Sequence, residues 1–418
     1  MIKINKIFPR VFSYFFRLEY YFSSRFKYLF SRIKGTNYRK RINLQKNINS
    51  IHKKLSKNKY KRLAIFVAFH SPSQIPQSNL NYIKILKKSL FDIVYVHNGH
   101  LGKKIINKLH RIGCFVIIRE NIGQDFGAWK DTISLLQEHK ILDKVKWLLL
   151  CNDSNFCIGG KNLDSFIKKF NESLNEQDLY DFICLNSNFE GSLHYQSYFI
   201  CLSKNILKMQ KFRKFWEEYI PIDNRYHAIR NGEKKFSKII LNNLRPKIMF
   251  TSYELSENIK DKLQIDYKYL FKLLPHNLFF LKVLFENKSL NSKKNIYLST
   301  SQLISFLENY NPSHVFGLLN IIYLNSPFLK KDVVRMGVFS INQVYEVLKI
   351  TKLSINTQLK DEVMKILISH GTLLSYFEER RIAVRKGIPI NKNLYEYQSN
   401  TKELKKLYFN KKNHNKKN

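Results

Sequence analysis

The segment Arg119-Glu120-Asn121-Ile122-Gly123-Gln124-Asp125-Phe126-Gly127-Ala128-Trp129 is followed, after a helix-like stretch, by Trp147-Leu148-Leu149-Leu150-Cys151-Asn152-Asp153-Ser154, and together these decide the fold. An apolar run ending in Asn-Asp-Ser places Asp153 where a buried parallel strand emerges, the edge at which open α/β sheets bind ligands. Just upstream, Phe115 to Ile118 reads as a second short apolar strand, with Asp125 held between Gly123 and Gly127 in the loop that follows. Two strand exits carrying Asn121, Asp125 and Asp153 therefore face one crevice.

Outward from this stretch the same alternation continues. Leu63 to Phe69 reads as a buried strand, Leu80 to Leu90 as a helix, Ile93 to Val96 as a strand, Lys103 to Ile112 as a helix ending near Gly113, and Ala128 to Glu138 as a helix. Strands and helices alternating at this spacing predict βαβ units, hence an α/β, Rossmann-like, mainly parallel sheet flanked by helices. Further strands are expected at Phe182 to Leu185, Tyr198 to Cys201 and Lys247 to Phe250. Beyond about residue 255, leucine- and phenylalanine-rich stretches at 268–286, 301–308, 315–324, 341–350 and 358–377 predict a mostly α-helical C-terminal region. The expected organisation is a basic aromatic segment over 1–62, an α/β domain over 63–255, a helical domain over 256–400 and a disordered basic tail over 401–418.

The 418 residues are 44% hydrophobic, enough for a large core. The formal charge is +40, from 72 Lys+Arg against 32 Asp+Glu, and it concentrates at the ends. Residues 1–62 hold 18 Lys/Arg and one acid, Glu19; residues 401–418 hold seven Lys and one Glu. A genome-wide bias toward Lys, Asn and Ile accounts for the middle better than for the termini. Phe8, Phe12, Phe15, Phe22, Phe26 and Leu29 recur at three- and four-residue steps among Arg10, Arg17, Arg25, Lys27, Arg32 and Lys34. This spacing predicts an N-terminal amphipathic helix suited to an anionic membrane surface, with docking on the protein's own core as the alternative. No uninterrupted apolar run reaches bilayer-spanning length, and no cleavable signal is expected. Cys114, Cys151, Cys157, Cys184 and Cys201 are odd in number and mostly in apolar runs, as reduced core residues of a cytosolic protein would be. Their spacing does not suit zinc. RNA-binding aromatic-glycine signatures, zinc-finger spacings and an obvious helix-turn-helix are absent, so nucleic acid is not the expected partner.

Chemistry gathers at the strand ends. Val96-His97-Asn98-Gly99, Arg119 to Gly123 and Cys151 to Ser154, in that order, resemble the nucleotide-sugar-binding half of inverting GT-A glycosyltransferases, notably family 2. His97 stands where that family usually has Asp, and Asn152-Asp153-Ser154 offers one carboxylate where its metal motif offers two. One carboxylate plus a diphosphate still suffices for Mg2+ or Mn2+, which keep waters and take substrate ligands. A closer similarity is to the rhamnan synthesis F family, glycosyltransferases of bacterial surface polysaccharides. It rests on Glu120 to Trp129, Asn152-Asp153-Ser154, His194-Tyr195-Gln196-Ser197-Tyr198-Phe199 and Phe212-Arg213-Lys214-Phe215-Trp216-Glu217. Asn311-Pro312-Ser313-His314 and Ser326-Pro327-Phe328-Leu329-Lys330-Lys331 resemble that family's C-terminal signatures, extending the likeness over about residues 60–335.

The resemblance implies a GT-A-like fold, a nucleotide-sugar donor with dTDP-rhamnose favoured, and a lipid-linked saccharide acceptor at the inner face of the cytoplasmic membrane. Donor contacts are expected from His70, Asn98, Asn121, Gly123, Asp125, Asn152 and Ser154, and acceptor contacts from His194 and Gln196. Asp153 is expected to hold the diphosphate, directly or through the metal. For the general base the position ahead of strand 247–250 favours Glu233, with Glu190 as rival; either is otherwise a solvated surface carboxylate. Asp125 is equally placed to cap the helix expected near Ala128, His70 and His194 to be satisfied structural histidines, and Phe215 and Trp216 to be core. The alternatives to a working transferase are a degenerate transferase kept as an assembly partner and a basic nucleic-acid-binding protein.

Overall fold

The computed structural model describes residues 61–262 apart from 177 and 191, residues 304–335, and isolated positions elsewhere, including 273–275, 338–339 and 361–363. The chain divides into two compact units, Met1–Phe30 with Val363–Asn418, and Ser31–Glu362. The amphipathic helix expected over 8–34 lies outside the described residues except for Leu18, Phe22, Phe26, Leu29 and Phe30, which are helical and exposed. The expected helices at 268–286, 341–350 and 358–377 fall almost entirely outside them, and the tail at 401–418 does so completely.

In the second unit the expected mainly parallel sheet is present. Its strands are β1 (Arg62–Ala68), β2 (Phe91–Asn98), β3 (Cys114–Arg119), β4 (Trp147–Asn152), β6 (Phe182–Cys184), β9 (Phe199–Ser203) and β10 (Pro246–Ile248), in the order β10-β6-β9-β4-β1-β2-β3. Strand β9 runs antiparallel to β4 and to β6, while β1–β2, β1–β4, β2–β3 and β6–β10 are parallel. From β1 the chain winds outward through β2 and β3, then returns to place β4 on the other side of β1. That reversal is a topological switch point, which opens a crevice at the carboxyl ends of β1 and β4.

Every residue of β1, β2 and β4 is buried, because both faces of the sheet are covered. The alternation of side chains along β1 sorts them into two cores. Leu63, Ile65 and Val67 face helix α3 (Gln124–Glu138), through Trp129 and Leu136, and helix α6 (Gln210–Glu218), through Phe212 and Trp216. Ala64, Phe66 and Ala68 face α1 (Gln77–Lys88), α2 (Lys103–Arg111) and α4 (Lys161–Asn175). Phe215 and Trp216 are thus core residues, and all five cysteines are buried free thiols.

Helix α3 begins at Gln124 rather than near Ala128. Gly123, at φ +73°, turns the chain into it, and a Cβ there would lie 2.5 Å from Pro221 Cβ, so only glycine fits. Gly127 is inside the helix and lets its first turn close against the Ile122 carbonyl. Asp125 is consequently a first-turn helical residue, not a loop residue, and makes no capping bond, although an acid there suits the helix dipole.

Three features were not anticipated. A short strand β5 (Asn155–Cys157) follows β4 and pairs antiparallel with β11 (Phe328–Lys330), which lies inside a region expected to be mostly helical. Strands β7 (Ser187–Asn188) and β8 (His194–Tyr195) form a small ribbon. The segment ahead of β10 is wound as two π-helical turns, Ala228–Lys234 and Ser237–Leu241. The expected helix over 315–324 is present as α8 (Pro312–Val315) and α9 (Gly317–Tyr323), and α10 (Lys331–Arg335) continues directly from β11.

Candidate active site

The switch point is stitched by backbone and carboxylate together. Asp153 N–H donates to the Val67 carbonyl at 3.0 Å, and its Oδ2 accepts from Phe69 N–H at 3.1 Å, tying the exit of β4 to that of β1. Asn152 is buried; its amide donates to Asp125 Oδ2 at 2.7 Å, while its oxygen accepts from the amide and hydroxyl of Ser154. Asp125, Asn152, Asp153 and Ser154 thus form one cluster, as their sequence positions imply. Burial, and next the negative charge of Asp153, pushes the Asp125 carboxyl up to about 7, although Lys330, Asn152 and Arg119 pull the other way.

His70 lies at the same edge. Its Nε2 is 2.7 Å from Tyr95 Oη and its Nδ1 2.8 Å from the Ser71 carbonyl, with the ring edge-on to His97 at 4.6 Å between centroids. Burial lowers the basicity of both histidines. His97 Nε2 accepts from His70 N–H, which leaves Nδ1 to donate to the Gly99 carbonyl and defines a neutral tautomer.

Asn98 and Gly123 lie beneath this edge. Asn98 is buried, bonded to Arg119 and to the Gln124 carbonyl, and Arg119 also donates to Asp131 at 2.8 Å and to the Ile122 carbonyl. This buried guanidinium pins the Glu120–Gly123 turn, in which Asn121 is half-buried.

On the far side stands the turn between β8 and β9. Glu233 Oε2 accepts from both the amide and the hydroxyl of Ser197 at 2.7 Å, and its Oε1 is 3.6 Å from His194 Nε2. His194 is buried, with Nδ1 on the Ser192 carbonyl at 2.7 Å. Gln196 is also buried and its amide is engaged: Nε2 donates to Asn311 and Ser313, and Oε1 accepts from Tyr198 Oη at 2.7 Å. Asn311 in turn caps α8 over Pro312, so the Asn-Pro-Ser-His motif clamps a helix onto this turn. Glu190 is exposed in the β7–β8 loop, its backbone N–H donating to Asn188 Oδ1, and among the described residues no hydrogen bond or ion pair joins it to the Asp153 cluster.

Between the two groups lies Lys330, which the sequence displayed in a motif without a role. It ends β11, in register with Asn155, and its Nζ donates to Ser154 Oγ at 2.7 Å while lying 4.3 Å from the Tyr198 ring centroid. Burial lowers its basicity; Asp332, Glu233 and Asp125 oppose that. Lys330 is thus bonded to the residue that follows Asp153 and feels the charges of Asp125 and Glu233, and carboxylates beside a lysine are equipment suited to binding a phosphorylated ligand and taking a proton from a hydroxyl. Among the described residues no three His, Cys, Asp or Glu side chains are grouped to hold a metal ion.

Comparison with known proteins gives four matches. The uncharacterized protein y4gN of Sinorhizobium fredii (strain NBRC 101917 / NGR234) is 28% identical over 177 residues, 42% of this chain and 45% of that protein, so the match spans less than half of that relative. Among solved structures, the glycosyltransferase GlyE of Streptococcus pneumoniae TIGR4 aligns over 60% of this chain and 63% of its own, with TM-score 0.28 and 11% identity. A protein of Desulfovibrio desulfuricans G20 described as a nucleotide-diphospho-sugar transferase aligns over 59% of this chain and 99% of its own, with TM-score 0.24 and 10% identity. The model of rhamnan synthesis protein F matches residues 93–334, more than half of the chain and a span that runs from within β2 to beyond β11. The chain belongs to the rhamnan synthesis protein F family.

Proposed function

We propose that this protein is a GT-A-type glycosyltransferase that moves a sugar, L-rhamnose or another deoxyhexose, from a nucleotide-sugar donor to a lipid-linked saccharide of a bacterial surface polysaccharide such as an O-antigen or capsule. The observation that carries the reading is the Asp153, Asn152 and Asp125 cluster at the carboxyl ends of β1 and β4, where the strand order reverses. Membership of the rhamnan synthesis protein F family supports the substrate class.

In this reading the nucleotide lies across the ends of β1 to β4, with the diphosphate near Asp153 and the sugar toward Glu233. The acceptor hydroxyl oxygen bonds to the anomeric carbon while the bond from that carbon to the phosphate oxygen breaks. Its electron pair leaves with the nucleoside diphosphate, and the hydroxyl proton passes to Glu233. A displacement of this kind inverts the anomeric centre. The Ser197 amide and hydroxyl orient the Glu233 carboxylate, which is the positioning a base requires.

Asp153 also suits a hard cation. Its Oδ2 is taken by Phe69, whereas among the described residues no protein donor bonds its Oδ1, and Mg2+ ordinarily takes one or two carboxylates plus substrate phosphates. Mg2+ or Mn2+ held there would neutralise diphosphate charge. The decisive experiment offers the purified full chain dTDP-L-rhamnose and a panel of other nucleotide sugars, with and without Mn2+, and follows nucleoside diphosphate release. Release from one donor, abolished by Asp153→Asn with the melting midpoint within about 2 °C of wild type, is the expected result. Normal turnover in that variant removes Asp153 from the site, and no turnover of any donor overturns the reading.

A further inference from the structure

Lys330 is half-buried and differs from two other half-buried lysines of this fold that are paired with carboxylates. Its sequence neighbour Lys331 meets Glu362 at 3.6 Å, and Lys169 meets Glu254 at 2.8 Å. Among the described residues no carboxylate lies within 4 Å of Lys330 Nζ; its partners are one hydroxyl, Ser154 Oγ, and one aromatic face, Tyr198. An ammonium group has three donors, of which Ser154 occupies one. Withdrawing such a charge from water without a paired anion is costly, and a fold tolerates it where an anion is to arrive.

The placement is built by several elements. Lys330 is delivered by the β5–β11 pairing, is fastened again by the Lys331 N–H donating to the Ser154 carbonyl at 2.9 Å, and is held flat by the Tyr198 ring, itself fixed through its hydroxyl on Asn186 and Gln196. Ser154 follows Asp153 directly, so the ammonium sits on the same turn as the carboxylate that marks the diphosphate end of the crevice.

Resting on the proposed nucleotide-sugar reading, we infer that Lys330 is the protein's own ligand to the donor diphosphate, contributing charge neutralisation of the leaving nucleoside diphosphate where the Asn-Asp-Ser turn has only a single carboxylate. A fixed cation at the leaving oxygen acts most strongly as negative charge grows there. Burial lowers its basicity, and the carboxylates of Asp332, Glu233 and Asp125 act against that lowering.

The test separates the diphosphate from the rest of the nucleotide. Binding of dTDP, UDP and GDP and of the matching nucleosides is measured calorimetrically in EDTA, with wild type, Lys330→Met and Lys330→Arg. The methionine variant is expected to lose about 10- to 100-fold in nucleoside diphosphate affinity, leaving the nucleoside unchanged, and arginine to restore most of the loss. A lysine that only braces Ser154 and Tyr198 would weaken nucleoside and diphosphate alike. Because the methionine variant can misfold, reductive methylation of the wild-type protein is read in parallel by mass spectrometry. Protection of Lys330 by the nucleoside diphosphate but not by the nucleoside supports the assignment. Equal labelling with and without the diphosphate, or unchanged affinity in Lys330→Met, overturns it while leaving the transferase reading standing; wild-type binding of no nucleoside diphosphate overturns both.

Discussion

At the scale of single residues, the most consequential group after Asp153 is Asp125. Its carboxyl titrates at about 7 in the fold, against an ordinary unfolded value near 4. Between about pH 4 and pH 7 the folded chain therefore holds a proton that the unfolded chain has lost, so this group's contribution to stability declines as pH rises through that window. Asp125→Asn mimics the protonated form and still accepts from Asn152. Its melting midpoint is expected to exceed that of wild type at pH 8 and to match it near pH 4.5, and parallel melting curves at the two pH values would contradict the assignment. Glu233 is the second test. Glu233→Gln keeps an acceptor for Ser197 and so keeps the turn, yet cannot take a proton; transfer should fall by roughly 10² to 10⁴. If Glu190→Gln is the variant that fails instead, the exposed β7–β8 loop supplies the base.

At the scale of elements, the β3–α3 junction governs the site. Gly123 enters the helix at φ +73° with Pro221 against its α-carbon, and Arg119 anchors the same turn through Asp131, Asn98 and Ile122. Gly123→Ala combines a left-handed backbone with a collision and is expected to cost on the order of 1–3 kcal/mol. That corresponds to a fall of several degrees in the melting midpoint, roughly 2–4 °C for each kcal/mol in a unit of this size. Differential scanning calorimetry checks it; an unchanged midpoint would mean the turn relaxes without cost. Gly232 has a similar role on the other side, since a Cβ there would strike the Phe126 ring at 2.8 Å, which fixes the π-helical turn carrying Glu233 against α3.

At the scale of the whole molecule, the charge is the outstanding quantity. Eighteen Lys/Arg against one acid in residues 1–62 suit a surface of anionic lipid, where each basic residue contributes on the order of 1 kcal/mol and salt weakens the sum. Among the described residues no helix is long and apolar enough to cross a membrane. From the charge and aromatic spacing of the N-terminal segment we propose peripheral attachment at the cytoplasmic leaflet, where a lipid-linked acceptor would be met. Deleting residues 1–34 should abolish sedimentation with anionic vesicles and spare donor hydrolysis, because the site begins at Phe69. Undiminished vesicle binding after the deletion would assign attachment to another part of the chain.

What the sequence by itself determined is the α/β alternation and the edge at which the site forms. Buried parallel strands must be apolar throughout and must end in turn residues, so Leu63 to Phe69, Cys114 to Ile118 and Trp147 to Cys151 disclosed both strands and exits locally. Asp125, Asn152 and Asp153 followed from those exits. What only the tertiary structure decided depends on contacts between residues far apart in the chain. The strand expected at Tyr198 to Cys201 is present as β9, but its reversed direction follows from its pairing with β4, and the three-residue β11 carries too few residues for a period to show. Asn98 and Gln196, polar residues beside strand ends, became buried partners of Arg119 and Asn311 because the elements that enclose them come from elsewhere in the sequence. Lys330 reached Ser154, 176 positions away, for the same reason: a lysine's neighbours are set by strand pairing, which no local pattern records.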